Sequence, residues 1–559
     1  MTYSVVVDGS DNNSPLRSPS RMHRSGHVRD NIGKDFGKYE LCVLVITQLS
    51  YIPITTTMLS TAFYEPTQHT CSLLNQTGDA ENSVPIDPEM TDADFNSILL
   101  DWGEACQQSA LTAFMSTTLM AGALSGSFVA GWLADAYGRL LVVKACLLLV
   151  CAVNGMFSFL ATTSWLLSAA FLFILGAGCG GYMVTNLVLL IECLDHPRSR
   201  LLAVSLNGWS FSMVFVAFLA RFTQHWFSFH LLTALLAFLA FLAFQIWVVE
   251  SCRWLAGVHR TAEARSTAMQ VMSKRAEAVQ SSADCHWWEI LGFSQPMISA
   301  PDRKDAARKY TYSDLFSHPS VYIPLIALCY CFVSSSVVSF GFYFNADALP
   351  GNRYLNMAFM GLLKFILGLL PFAVSSFVGR RPIISTSVGL ACLGAWLTVV
   401  SQLCGASAGH WSLAALSLVV SGALDPAWKI NHLYSAELFP TVVRNMARAV
   451  CNVAARLGSV AAPMVVHLRT THYLIPYLAF AAFLTIQLVV VAAFIPETKD
   501  KPLPEELPPS TDAAAQSERM LECKEVVRSL YWKRNRRFFT SVGEPTRKPK
   551  KEGNQGNGN

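Results

Sequence analysis

The sequence predicts an all-α membrane protein: twelve transmembrane helices set as two pseudo-symmetric six-helix bundles. Three observations predict it. Of 559 residues, 52% are hydrophobic and 14% charged, against roughly 25% charged in a soluble chain. Apolar segments of ~20 residues or more recur twelve times, each long enough for a hydrocarbon core of about 30 Å. A polar segment, 251–319, divides them into six and six, the pattern of two repeated halves with a site between them near the bilayer midplane.

In order, the spans begin near residues 39, 109, 141, 165, 200, 228, 320, 354, 382, 410, 445 and 472. Before them, residues 1–38 are polar and rich in Ser, Asn and Arg, without the apolar stretch of a cleavable leader. Residues 39–250 form the first bundle and 320–496 the second, succeeded by a tail, 497–559, whose repeated Pro and mixed charge read as largely disordered. Basic loops stay on the cytoplasmic side. The first loop, 64–108, holds nine acidic residues and no Lys or Arg, so it is expected outside. Arg139 and Lys144, Arg198 and Arg200, the basic central segment, Arg380 and Arg381, Arg444 and Arg448, and "KRNRR" in the tail fall on the other side. Both termini are therefore expected inside. The formal charge of +4 comes from this sidedness and gives no reason to expect a nucleic acid partner.

Most of the fifteen cysteines lie in spans, where a thiol behaves as a small hydrophobe. Cys71 and Cys106 stand in the outer loop and are the candidate disulfide pair. Asn75, in "NQT", is the glycosylation candidate on the same side. Asn12, in "NNS", matches the pattern but falls inside. "GAGCGG", Gly176 to Gly181, fits a dinucleotide fingerprint by letter, but a fingerprint needs a strand before it and a soluble βαβ unit around it. Within a span, small residues instead let helices pack closely. No phosphate-binding loop, paired metal-ligand motif or nucleophile elbow occurs elsewhere, so neither an enzyme nor a cofactor is expected.

A short basic turn stands at matching places in the halves: "GWLADAYGRL", 131–140, and "SSFVGRRP", 375–382. Arg139 and Arg380 are suited to cap helix C-termini or pair with acids, or they serve as positive-inside anchors. Asp135, Gly138 and Arg139 give the first copy its specific spacing; Ser376 takes the acid's place in the second.

Segments in this order resemble the major facilitator superfamily, and more narrowly its organic cation, anion and zwitterion transporters, solute carrier family 22. They are "PTQHTC" and "DWGEAC" bounding the outer loop, "GWLADAYGR", "ESCRWLAGVHRTAEA" (250–264), "GNRYLN" (351–356), "YSAELFPTVVRN" (434–445) and "PETKDKPLPE" (496–505). The resemblance implies movement of small organic ions by alternating access without ATP hydrolysis. It also shows departures: Leu172 stands where the family pattern has Arg, Leu140 replaces a second basic residue, Cys252 replaces a Pro, and Lys364 falls where many relatives carry an acid.

Glu192, Glu250 and Glu437 are candidates for a gating network at the inner mouth. Glu192 is expected to pair with Arg198, Arg200 or Arg253, and Glu437 with Arg444; Arg381 belongs to the same set. A charge at a helix centre costs about 2.5–3.5 kcal/mol on insertion scales, so the intramembrane charges are informative. Asp425 and Lys429 stand four apart on one face and are expected to neutralise each other, with participation in the substrate path as the alternative. Lys364 and Arg456 have no local acid. Either they face a cavity and attract a carboxylate, sulfate or phosphate, or they pair with an acid on another helix, Asp425 being available. "AARLGS" resembles the organic anion branch, which tends to carry Arg at the place of Arg456. Phe340, Phe342, Tyr343, Tyr354, Trp428 and Tyr434, with Trp209 less firmly placed, are candidate aromatic walls for a varied organic body.

These residues point to a plasma-membrane carrier of organic anions, with a counter-anion such as a dicarboxylate as a further partner. A carrier of organic cations or of zwitterions such as carnitine is the alternative within the class. A non-transporting receptor or scaffold with a transporter fold is the alternative outside it, motivated by Leu172, Leu140 and Ser376.

Overall fold

The computed structural model describes residues 38–66, 71, 95–104, 110–194, 197–206, 208–258, 260–275, 312–375, 377–404, 411–440 and 443–499. Asn75, Cys106 and Ser376 lie outside them, as do the two terminal segments. Twelve helices among these residues are long and apolar enough to span a bilayer. They are α1 (Tyr39–Phe63), α2 (Leu111–Tyr137), α3 (Arg139–Thr163), α4 (Trp165–Cys193), α5 (Leu202–Thr223), α6 (Trp226–Trp247), α7 (Pro319–Phe344), α8 (Arg353–Val374), α9 (Arg380–Leu403), α10 (Trp411–Glu437), α11 (Met446–Thr470) and α12 (Ile475–Phe494). The starts expected from hydropathy fall within a few residues of each. Between the halves, two short helices, Cys252–Gly257 and Thr261–Arg275, carry their own small core of Trp254, Leu255, Ala264 and Ala268.

Helices α1–α6 pack into one bundle and α7–α12 into the other. The tightest joint is α2 against α4, and small residues explain it. A Cβ on Gly180 would stand 2.1 Å from the Ala123 carbonyl oxygen, and one on Gly126 would stand 2.1 Å from that of Ala177. Backbone therefore meets backbone, the close approach that drives helix association where lipid supplies no hydrophobic drive. This is the use of "GAGCGG". In the second bundle the closest joint is α7 against α11, with Gly458 against the Val333 carbonyl. Outward faces are large and apolar, as at Phe218, Phe222 and Leu393, which suits lipid.

The first bundle holds a closed polar chain among buried side chains. Asn154 donates to the Val150 carbonyl (2.9 Å) and to Thr57 Oγ1 (3.1 Å). That fixes its Oδ1 toward His230 Nδ1, 2.8 Å away, which therefore carries the proton, leaving His230 Nε2 to accept from Tyr64 OH at 3.3 Å. All four residues are buried, and the chain ties α1, α3 and α6 together with the donors and acceptors matched.

The bundles meet along two seams, α2 with α11 and α5 with α8. At the end that carries the long first loop, contacts cross between them: Arg353 Nη1 donates to the Glu65 carbonyl (2.8 Å), and Tyr354 stacks on Phe63 with centroids 6.0 Å apart.

Replacing Gly180 by Leu should overpack the α2–α4 joint, costing about 1–3 kcal/mol. Gly131→Ala, where no atom stands within 4 Å of an added Cβ, should be neutral or stabilising by about 0.5–1 kcal/mol. Thermal denaturation of the purified protein in detergent checks both.

Candidate functional site

Two arrangements carry the chemistry: a pair of latches at the basic end of the bundles and a cationic centre at the seam.

The first latch is built on the turn between α2 and α3. Gly138 has φ +117°, a conformation only glycine takes without strain, and a Cβ there would stand 2.5 Å from Glu250 Oε2. The Glu250 carboxylate thereby reaches the start of α3. It accepts from the backbone N–H groups of Arg139 (3.1 Å), Leu140 (3.1 Å) and Ser251 (3.0 Å), capping the helix and complementing its dipole. The Arg139 side chain pairs with Asp135 (2.9 Å) and Glu192 (3.4 Å), donates to the Ala134 carbonyl (2.7 Å) and lies over the Trp254 ring. Trp254 Nε1 in turn donates to the Asp135 carbonyl at 3.0 Å.

The second latch repeats the plan. Glu497, three residues beyond α12, accepts from the backbone N–H groups of Arg380 (2.9 Å), Arg381 (3.0 Å), Thr498 (3.0 Å) and Lys499 (2.9 Å). Burial works against its charge, but these four bonds outweigh it and hold the carboxyl below its usual range. Arg380 pairs with Glu437 at 3.4 Å, and Thr498 Oγ1 donates to the same carboxylate at 2.6 Å. Arg381 donates to the Ala492 carbonyl.

Glu192 pairs with Arg139, since the α2–α3 turn sets that guanidinium beside the end of α4; the side chains of Arg198 and Arg200, two of its expected partners, lie outside the described residues. One expected pairing differs. Glu437 takes Arg380 while Arg444 donates to the Phe439 carbonyl at 3.2 Å, because α11 starts by turning this side chain back onto its own approach. Arg253 lies in the short helix beside Glu250. Glu497 is not singled out by sequence reasoning, although "PETKDK" comes after α12 as "ESCRW" comes after α6; aligning the two half-ends is the signal that finds it.

At the centre, Lys429 Nζ stands 3.8 Å from Asp425 Oδ2, with both side chains buried. Lys364, also buried, lies over the Tyr343 ring at 5.1 Å and close to Lys429. Arg456 Nη2 donates to Met183 Sδ on α4 at 3.5 Å, across the seam. Among the described residues neither Lys364 nor Arg456 has a carboxylate within salt-bridge distance. The Asp425 alternative for Arg456 therefore gives way to Lys429, which sits one turn along the same helix.

The aromatics divide. Phe340 and Tyr343 meet Trp209 of α5 at 5.7 and 6.3 Å between centroids, on the seam. Trp428 packs with Phe332 and His432 near Arg456. Tyr354 closes the outer-loop end on Phe63. Phe342 packs on Phe480 of α12, inside its own bundle, and Tyr434 is buried beside the second latch, near Glu497 and Glu437. These two do not line the seam: period-3.6 spacing turns Phe342 inward, and Tyr434 lies too near the basic end of α10.

A cavity of about 230 Å³ lies at the outer-loop end, lined among others by Glu65, Thr112, Asp347, Gln402, Arg469 and Tyr477. None of the sequence-predicted binding residues lines it. Its charged groups have partners, Arg469 pairing with Asp347 (Nη1–Oδ1 2.9 Å) and Glu65 accepting from the Thr112 hydroxyl (3.0 Å), so it is a vestibule rather than the charged centre. Cys71, on its wall, is disulfide-bonded.

A twelve-helix, two-bundle chain with charged latches and a cationic seam is a membrane transporter of the major facilitator class. The chain belongs to the sugar (and other) transporter family, whose model matches residues 55–507. It is similar to solute carrier family 22 member 4 of Mus musculus, 26% identical over 74% of this chain and 72% of that protein. Similarity extends to solute carrier family 22 member 7 of Bos taurus (28%, covering 75% and 74%) and to organic anion transporter 3 of Oryctolagus cuniculus (24%, 74% of each). The fold matches the proton:xylose symporter XylE bound to 6-bromo-6-deoxy-D-glucose, with TM-score 0.58 and 17% identity over 83% of this chain and 98% of that one. These relatives are transporters, and the chain is not an enzyme.

Glu497→Gln should weaken the second latch by about 1 kcal/mol, solvent access discounting four charge-assisted bonds. A carboxyl held low contributes above its unfolded pKa and loses that contribution as pH falls through its folded value. The melting-temperature gap between parent and variant should therefore persist from pH 7 to 5 and close only below about pH 4.

Proposed function

We propose that the chain carries small organic anions across the plasma membrane by alternating access, binding them between the bundles at Arg456 and Lys364. The observation that carries this reading is the charge balance of the seam among the described residues: Lys364, Lys429 and Arg456 against the carboxylate of Asp425. A guanidinium without an acid partner holds a carboxylate, sulfate or phosphate through two parallel bonds. Lys364 supplies a second positive point, and Tyr343, Phe340 and Trp428 offer flat apolar walls to the organic body.

The substrate enters from the side of the long first loop. The halves then rock about the seam, each held in shape by its latch at Glu250 or Glu497, and the anion leaves at the basic end. A counter-anion such as a dicarboxylate returns along the same route. The relative named organic anion transporter 3 supports the substrate charge. Glycosylation at Asn75, with both termini cytoplasmic, completes the expected topology.

Uptake of labelled anionic and cationic dyes by expressing cells tests the reading. Arg456→Ala should cut anion uptake at least tenfold at unchanged surface abundance, and Lys364→Ala should raise the half-saturating concentration several-fold. Cation uptake equal to or above anion uptake, unmoved by Arg456→Ala but lost in Asp425→Asn, would favour an organic cation or zwitterion carrier. Binding without flux would favour a receptor.

A further inference from the structure

The helix containing Arg456 begins at Arg444 and carries Arg444, Arg448, Asn452 and Arg456 at intervals of four. Four residues advance a helix by about 6 Å and turn it only about 40° past a full circle. The three guanidiniums therefore climb this helix over about 18 Å, drifting about 120° around it, from the basic end to the central cation. The side chains of Arg444, Arg448, Asn452 and Arg456 are all partly exposed.

Arg448 has no role in either latch. Its neighbours are Arg444 and Cys451 on its own helix and His432 on α10. Among the described residues it makes no salt bridge. His432 lies within electrostatic reach of Lys429, Arg448 and Arg456 together, so it marks the point where the central cations and the lower part of the ladder meet. Trp428 and Phe332 pack on its ring at 5.4 and 5.0 Å. Arg448 thus lies within electrostatic reach of the His432 corner of α7, α10 and α11, where like charges gather and, among the described residues, no carboxylate pairs with it. Keeping guanidiniums together there is unfavourable unless an anion visits them.

We infer that Arg448, with Arg444 below it, forms a second anion station one step toward the basic end from Arg456. There the carboxylate of a departing substrate, or of an arriving counter-anion, is held between Arg448 and the His432–Trp428 corner. This inference rests on the anion reading above and extends it. The station lowers the step between a dry central site and water by exchanging one guanidinium for the next.

Equilibrium binding of labelled benzoate to the full-length protein in detergent tests it, with Arg448→Met to remove the charge at similar volume and Arg448→Lys to restore it. The parent should show two saturable components. Arg448→Met should lose the weaker and keep the tighter, Arg448→Lys should recover the weaker, and Arg456→Met should lose the tighter. In vesicles, Arg448→Met should raise the half-saturating benzoate concentration about tenfold from the basic side and less than twofold from the other.

Two components in Arg448→Met, or equal effects from both sides, would overturn the station while leaving Arg456-dependent anion carriage standing. Absence of saturable benzoate binding to the parent would overturn both. A melting profile for each variant separates lost binding from lost fold. If Arg448→Met does not fold, the Arg448→Gln variant takes its place with the same outcomes.

Discussion

The cost of holding an unpaired guanidinium within a bilayer governs the centre of this molecule. A charge at the middle of a spanning helix costs about 2.5–3.5 kcal/mol or more, and truncating one partner of a buried pair leaves the other still more exposed to that cost. Among the described residues, Asp425 is the acid on the spans that stands close to the central cations, and Lys429 claims it at i+4. Positive charge is therefore in surplus at the seam. Lys364 rests on the face of Tyr343, whose quadrupole offers partial compensation, and Arg456 has only a thioether sulfur, a weak acceptor. On the proposed anion reading, the site owes its preference to the lack, among the described residues, of a competing carboxylate rather than to a preformed cage.

The rest of the structure is arranged so that this surplus can be presented to either side. Within each bundle the packing is rigid: backbone on backbone at α2–α4, Gly458 against α7, and a closed hydrogen-bond chain through His230. Between bundles, α8 meets α5 closely at Gly361, where an added Cβ would stand 2.9 Å from the Ser210 carbonyl, and aromatic edges such as Trp209–Phe340 and single bonds such as Arg353 to the Glu65 carbonyl complete the contact. Bodies that are stiff inside move as units about such a seam. Both latches have the same logic, a carboxylate from the end of the sixth helix of its half seated on the first N–H groups of the third. Each lies within one bundle, so it fixes the shape of that bundle while leaving the seam free.

Most of this fold could be read from hydropathy and charge sidedness, because a bilayer forces every span to be long, apolar and self-bonded. Positions of isolated charges were equally legible, since their cost makes them stand out. What could not be read was direction. Phe342 and Tyr343 are adjacent in sequence, yet one packs on Phe480 inside the bundle and the other holds Lys364 at the seam. A helix wholly apolar around its circumference gives no moment by which to orient such a pair. Partner choice was obscured for a related reason. Arg444 stood within reach of Glu437 in sequence, and the helix start after Gly379 sets Arg380 beside it instead.

The two latches also show why a departure from a family pattern need not disable a chain. Leu140 stands where a second basic side chain was expected, but the group used at that position is its backbone N–H, 3.1 Å from the Glu250 carboxylate. Any residue other than proline supplies that donor. In the second copy the side chain of Arg381 is turned back onto the Ala492 carbonyl, and its N–H serves Glu497. The element shared by the two copies is thus a pair of amides at a helix start and a carboxylate long enough to reach them. Altered side chains at these places change local charge while the latch itself stays complete, which removes one of the motives for reading the chain as a transporter fold that does not transport.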